Sequence, residues 1–131
     1  MSIQTEIGAI TLFVEEVARS KEFYSRAFGL DPIYEDDDSV AFRFENTIVN
    51  LLRRPAAHEL VEPAQVAAAG TGASFQLTIG VDDADETCRT LAERGVDFLN
   101  GPTDRPWGVR TAAFADPDGH VWEVASNLQT S

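Results

Sequence analysis

Apolar side chains recur along this chain with two periods, and the places where the period changes mark its elements. Over residues 7–14 they alternate, with Ile10, Leu12 and Val14 on one side and Ala9, Thr11 and Phe13 on the other, which predicts a short strand. From Glu16 the spacing lengthens. Val17, Lys21, Tyr24, Ala27 and Phe28 then share a helical face that Gly29 closes. Pro32 opens an extended segment that runs into Glu35, Asp36, Asp37 and Asp38, four like charges that predict a solvated turn. Alternation returns in residues 39–44, where Val40, Phe42 and Phe44 interleave with Ala41 and Arg43. It returns again in residues 47–53, where Ile48, Asn50 and Leu52 oppose Val49 and Leu51. Asn50 is the odd polar residue among them.

Residues 55–72 are rich in alanine and punctuated by Pro63, Gly70 and Gly72, which reads as a linker with one helical turn in the weak pattern of residues 61–69. A strand follows over residues 74–81, with Phe75, Leu77, Ile79 and Val81 on one face and Gln76, Thr78 and Gly80 on the other. Asp82, with Asp85 three residues on, predicts the cap of a second helix. Its stripe is Ala84, Cys88, Leu91 and Ala92, and its stop is Gly95. Three strands complete the chain, over residues 96–99, 109–115 and 120–125, the last two joined by the turn Asp116-Pro117-Asp118-Gly119.

The two halves read alike. Val14-Glu15-Glu16-Val17 pairs with Val81-Asp82-Asp83-Ala84 at an offset of 67, and Gly29 with Gly95 at 66. The expected fold is α+β: two tandem βαβββ modules, residues 7–53 and 74–125, forming open, curved mixed sheets around a cleft within one domain spanning residues 1–131, joined by the linker 54–73. One helix per half covers one sheet face. The other face, which carries Thr11, Gln76 and Thr78, is left for a cavity, a repeat or a second subunit.

Composition narrows the function. The chain has 131 residues, 22 acidic against 10 basic side chains and a formal charge of -12. A field of that sign repels a phosphate backbone, so nucleic acid is not an expected partner, and it favours a cationic small molecule. No apolar run reaches a membrane span, and residues 1–6 lack a basic start before an apolar stretch, so a soluble cytoplasmic protein without membrane association is expected. The lone Cys88 lies in a helix stripe and reads as a buried, inert thiol. His58 falls in the linker, and His120 reads as a solvated turn residue.

The strand and helix of Ile10-Thr11-Leu12-Phe13-Val14 with Ser20, Phe23 and Tyr24 have a second copy, Leu77-Thr78-Ile79-Gly80-Val81-Asp82-Asp83. Together with Phe114-Ala115-Asp116-Pro117-Asp118-Gly119 ending in Glu123, they resemble the vicinal-oxygen-chelate superfamily of glyoxalases, extradiol dioxygenases, fosfomycin-resistance enzymes and bleomycin-resistance proteins. The resemblance implies four metal positions, one on the first and one on the last strand of each half, and these fall on Ala9, Asn50, Gln76 and Glu123. Only Glu123 is a strong donor, so no metal and no cofactor are expected, and the likeness is strongest to the metal-free bleomycin-resistance proteins.

That resemblance implies a homodimeric small-molecule binder that confers antibiotic resistance by sequestering a bleomycin-like or other natural-product drug. The alternatives are an enzyme, either a metal-dependent lyase or dioxygenase or an acid/base catalyst built on Glu123, and a structural partner protein. No catalytic residues are assigned. Candidate ligand contacts are Phe13, Phe42, Phe44 and Trp107 as aromatic walls, Trp107 foremost because it interrupts the strand pattern in Pro106-Trp107-Gly108. Asn50, Gln76 and Glu123 supply polar contacts. Arg110 is an inward-facing candidate that either pairs with Glu123 or holds a ligand carboxylate or phosphate.

Overall fold

In the computed structural model, which describes residues 2–128, the expected repeat is present. The elements are β1 (Ala9–Val14), α1 (Val17–Phe28), β2 (Tyr34–Glu35), β3 (Ser39–Arg43), β4 (Ile48–Arg53), α2 (Arg54–Val61), β5 (Gln76–Gly80), α3 (Ala84–Glu93), β6 (Phe98–Arg105), β7 (Val109–Ala115) and β8 (Val121–Asn127). They build two four-stranded mixed sheets with one topology. The strand orders are β1-β4-β3-β2 and β5-β8-β7-β6. In each, the opening strand runs parallel to the last strand of its module and the other pairings are antiparallel. The chain divides into two compact units, residues 1–25 with 29–69 and residues 26–28 with 70–131.

Within the first unit, strand alternation sends Leu12, Val14, Val40, Phe42, Val49 and Leu51 to one face, all of them buried, where the Tyr24 ring of α1 lies 6.2 Å from that of Phe42. In the second, Phe114, Trp122 and Val124 form the corresponding core with Ala84, Cys88 and Leu91 of α3. Phe28, in the three-residue segment that belongs to this unit, sets its ring 5.2 Å from Trp122 and 6.2 Å from Phe114. Burying such aromatic area contributes more than any hydrogen bond in either sheet.

Several expectations change in detail. Residues 54–61 are helical and residues 62–69 are not, which moves the linker's helical turn towards its start. Pro55 sits in the first turn, where its missing N–H costs nothing, so it begins the helix. The cap of α3 is Asp83, whose carboxylate accepts from the Glu86 N–H at 3.1 Å, one residue beyond Asp82. Ala92 is exposed and so falls outside the α3 stripe. Gly29 and Gly95 have φ of 67° and 86°, the left-handed conformation that the two stops require. The strand expected over residues 96–99 extends from Phe98 to Arg105, through register shifts between Phe98 and Asn100 and between Asn100 and Thr103.

Candidate functional site

Pairing register, more than sequence spacing, decides which side chains meet on the sheet faces that the helices leave open. In the first unit, Thr11 opposes Asn50 and Asn50 opposes Ala41. Residues directly opposite share a face, so Ala9, Thr11, Phe13, Ile48, Asn50 and Leu52 lie together, away from the buried Leu12, Val49 and Leu51. Asn50 Nδ2 donates to Thr11 Oγ1 at 3.3 Å. Phe13 and Leu52 are half-buried on this face.

The second unit repeats the arrangement with different chemistry. Thr78 opposes Glu123 and Glu123 opposes Ala113, so Gln76, Thr78, Glu123, Ala113 and Thr111 share the open face. Thr78 Oγ1 donates to Glu123 Oε1 at 3.0 Å, and the carboxylate is half-buried. Thr78 stands at the position of Thr11, and Glu123 takes the place of Asn50. A neutral pair in one module is thus a charged pair in the other.

The remaining candidates scatter. Phe42 is fully buried in the first core, because its strand position faces α1; it is not on the open face. Phe44 lies beyond β3, on a groove of about 640 Å³ lined also by Ile7, Ile10, Arg43 and Glu45, where Thr47 Oγ1 donates to the Ile7 carbonyl at 3.0 Å. Trp107 occupies the tip of the β6–β7 hairpin and is 71% exposed. That tip is tied down at both ends, since the Gly108 N–H donates to the Arg105 carbonyl at 3.1 Å and the Leu128 N–H to the Gly108 carbonyl at 3.0 Å. Arg110 shares the face of Ala112 and Phe114, opposite to that of Glu123. Its Nε donates to Asp85 at 3.1 Å and its Nη1 to Asp104 at 2.8 Å, and these hydrogen bonds, the one to Asp104 foremost, push the guanidinium pKa further up.

Arg105, which the sequence pattern did not single out, lies on the Glu123 face. Thr103 opposes Thr111 and Arg105 follows two residues on, and its Nε donates to the buried Thr111 Oγ1 at 2.9 Å. The Pro106-Trp107-Gly108 turn was the available signal, since a three-residue hairpin loop forces Arg105 and Val109 to pair.

Other reactive groups lie apart. Burial pushes the Cys88 thiol pKa up, with Asp85 adding to the shift, so the neutral thiol dominates at neutral pH. The His120 backbone N–H donates to Asp116 Oδ1 at 2.8 Å within the turn, and its ring lies 6.5 Å from that of Phe75. His58 is exposed on α2.

The donor set at the four family positions does not fit a divalent metal. Ala9 has no donor atom, and Asn50 and Gln76 offer neutral amides. Glu123 is one carboxylate where a Lewis-acid site needs about three strong protein ligands. Among the described residues no group of three His, Cys, Asp or Glu side chains converges as a metal cage, and no helix is long and apolar enough to cross a membrane.

This combination of duplicated βαβββ modules and open mixed sheets defines a class. Residues 6–124 match the Glyoxalase/Bleomycin resistance protein/Dioxygenase superfamily, and the chain belongs to it. That places it among proteins that bind or transform small molecules. The chain is 34% identical over 123 residues to the uncharacterized protein YraH of Bacillus subtilis (strain 168), covering 91% of this chain and 96% of the relative. Its fold is also that of a glyoxalase/bleomycin resistance protein/dioxygenase from Nocardioides, with a TM-score of 0.87, 22% identity, and coverage of 100% of this chain and 89% of that one. A glyoxalase-related enzyme from Fulvimarina pelagi is similar too, with a TM-score of 0.80 and 24% identity over 95% of this chain and 89% of that one.

Proposed function

We propose that this protein is a metal-independent small-molecule binding protein of the bleomycin-resistance type, acting in the cytoplasm as a homodimer and sequestering a cationic natural-product drug. The observation that carries the reading is Glu123, the only charged side chain at the four family positions, oriented by Thr78 at 3.0 Å on an open sheet face. A carboxylate fixed by one hydrogen bond keeps acceptor sites for a ligand ammonium, and a charge-assisted hydrogen bond is stronger than a neutral one. The net charge of -12 raises the local concentration of cations within about 8 Å of the surface in physiological salt. Trp107, exposed on a tethered hairpin, offers a flat apolar surface for stacking. Gln76, on the Glu123 face, supplies a neutral polar contact, and in the first module Asn50 and Phe13 offer a polar and an apolar contact on its own open face.

Titration calorimetry with bleomycin and a panel of cationic antibiotics tests the reading. The expected result is saturable binding at micromolar protein that weakens at least about tenfold in Glu123→Gln, the effect of removing one charged hydrogen-bond partner. Absence of saturable heat across the panel overturns it. So does about one Mn, Fe, Ni or Zn per chain in protein purified without tag or chelator, which moves the assignment to a metal-dependent enzyme with a different ligand set.

A further inference from the structure

The geometry points to an amphoteric ligand: Arg105 holds an anionic group, carboxylate or phosphate, on the same sheet face where Glu123 takes the cationic one. This extends the preceding reading and rests on its assignment of Glu123 as the cation partner.

Four basic side chains are held in ion pairs with carboxylates of the chain. Lys21 is paired with Glu35, Arg53 with Asp38 and Arg54 with Glu15, and Arg110 is paired with both Asp85 and Asp104. Those charges are spoken for. Arg105 differs from these four in that its one side-chain hydrogen bond among the described residues goes to a neutral hydroxyl, Thr111 Oγ1, at 2.9 Å. Arg94 also donates to a neutral acceptor, the Ala27 carbonyl at 2.9 Å, but only Arg105 lies on the Glu123 face. The bond uses Nε and leaves both terminal nitrogens, the fork that matches a carboxylate or phosphate. A guanidinium spread along a sheet face also loses side-chain freedom, and fixing it to Thr111 means that less of this loss falls at the moment of binding. Glu123 is in the matching condition among the described residues, with Thr78 as its one hydrogen-bond partner and no cation of the protein against it.

Register sets the spacing between the two. Glu123 opposes Ala113, Thr111 is two residues along β7 on the same face, and the Arg105 guanidinium is hydrogen-bonded to Thr111. One strand step across and two residues along place the charges about 10 Å apart. They are too far apart to neutralise each other. A ligand whose own opposite charges are separated by about 7–8 Å spans that gap with a contact at each end. Between them lie Ala113 and Thr111, both buried, small side chains that form the floor over which an aliphatic or flat ligand body passes. Asn50 and the half-buried Phe13 and Leu52 hold the corresponding region of the first module and give it no charge pair, so the specificity belongs to the second module.

A matched set of simple probes followed by proton–nitrogen NMR tests this: 6-aminohexanoate with both charges, hexylamine with the cation alone and hexanoate with the anion alone. The expected result is that 6-aminohexanoate shifts the Arg105 Nε–H and the Glu123 and Thr78 signals along one isotherm, at least about tenfold tighter than either single-charge probe. Arg105→Gln and Glu123→Gln should each reduce it to the single-charge level, while Arg105→Lys should restore part of the affinity. Hexylamine binding at Glu123 as tightly as 6-aminohexanoate, with Arg105 unmoved by any probe, overturns the amphoteric assignment and leaves the cation-binding reading standing. Absence of any saturable shift at Glu123 overturns both.

Discussion

The two modules share a topology and differ in what they display. Their helix-facing positions are interchangeable in kind: Leu12, Val40, Phe42 and Leu51 in the first, Phe114, Trp122 and Val124 in the second, all buried. Their open faces are not. The first sets a neutral Thr11–Asn50 pair among Phe13, Ile48 and Leu52, whereas the second sets Thr78–Glu123 beside Thr111–Arg105. Their edges differ as well, since β2 has two residues and β6 has eight. Because successive side chains on a strand point to opposite faces, one face of a duplicated sheet can change charge without disturbing the core on the other. The longer β6 carries Arg105 onto the second open face beside Thr111, whereas on the first open face the register places Arg43 opposite Ile48, at the far end from Leu52.

That contrast depends on how β6 reaches Arg105, and the largest effect is expected there. Gly101 lies in the irregular part of β6 with φ of 86°, and a Cβ on it would stand 2.5 Å from the Thr111 carbonyl and 2.7 Å from the Ala112 Cα. Both obstacles are backbone of β7 and cannot swing aside. Gly101→Ala should destabilise the protein by about 2–4 kcal/mol, the sum of left-handed strain and overpacking. Gly108→Ala, at φ of 93° with nothing within 4 Å, should cost only the strain, about 1–2 kcal/mol. Urea unfolding measures both, and equal costs would mean that β6 is not wedged against β7.

The scaffold is legible in the sequence because it rests on local signals. Alternation, helical spacing, the glycine stops at 29 and 95 and the turn at 116–119 each declare themselves within a few residues. The open-face chemistry is legible where a family position or an alternating strand fixes it, as for Glu123, Gln76, Thr78 and Asn50. It is not legible at Phe42, because alternation separates two faces without saying which one receives the helix. At Arg105 and Arg110, neighbours across a hairpin, the face follows from cross-strand pairing: Arg105 pairs with Val109 on the Glu123 face and Arg110 with Ser126 on the other, which the spacing of either strand alone does not declare. Pro55 signals a break in the sequence pattern and yet stands at a helix start, because the same residue serves both roles.

The way each helix begins gives a smaller and cleaner test of the duplication. The backbone is extended at both N-caps, with φ and ψ of -128° and 111° at Glu16 and -142° and 107° at Asp83. Only the Asp83 side chain caps, and only α3 carries acids, Asp85 and Glu86, in its first turn. These helix starts therefore share a backbone path and differ in side-chain chemistry. Asp83→Ala should cost about 1 kcal/mol, and Glu16→Asp, one methylene shorter, should gain about 0.5–1 kcal/mol by reaching the third helical N–H. Thermal unfolding of the two variants reads both signs. A loss in Glu16→Asp would show that the start of α1 is held by something its backbone geometry does not share with the start of α3.

The smallest effect concerns the turn that fastens the short β2, a device of the first module. Asp36 Oδ1 accepts from the Asp38 and Ser39 N–H groups, both at 2.8 Å, and Oδ2 accepts from the Tyr34 hydroxyl at 2.7 Å. The Tyr34 hydrogen bond, then the backbone donors, lower the Asp36 pKa, and the same bond to Asp36 raises that of Tyr34. A lowered carboxyl contributes stability that is complete above its unfolded value of about 3.9 and is lost as pH falls through the lower folded value. A raised phenol contributes stability that is complete below about 10 and is lost as pH rises through the higher folded value. In NMR titrations the Asp38 and Ser39 amides should therefore move together at a pH below the ordinary carboxylate range, and Asp36→Asn should abolish that step. The cost of Asp36→Asn should be confined to β2 and β3, with hydrogen exchange in β6 and β7 unchanged. Loosening of the second sheet by this substitution would show that the two edges, so different in length, do not vary independently.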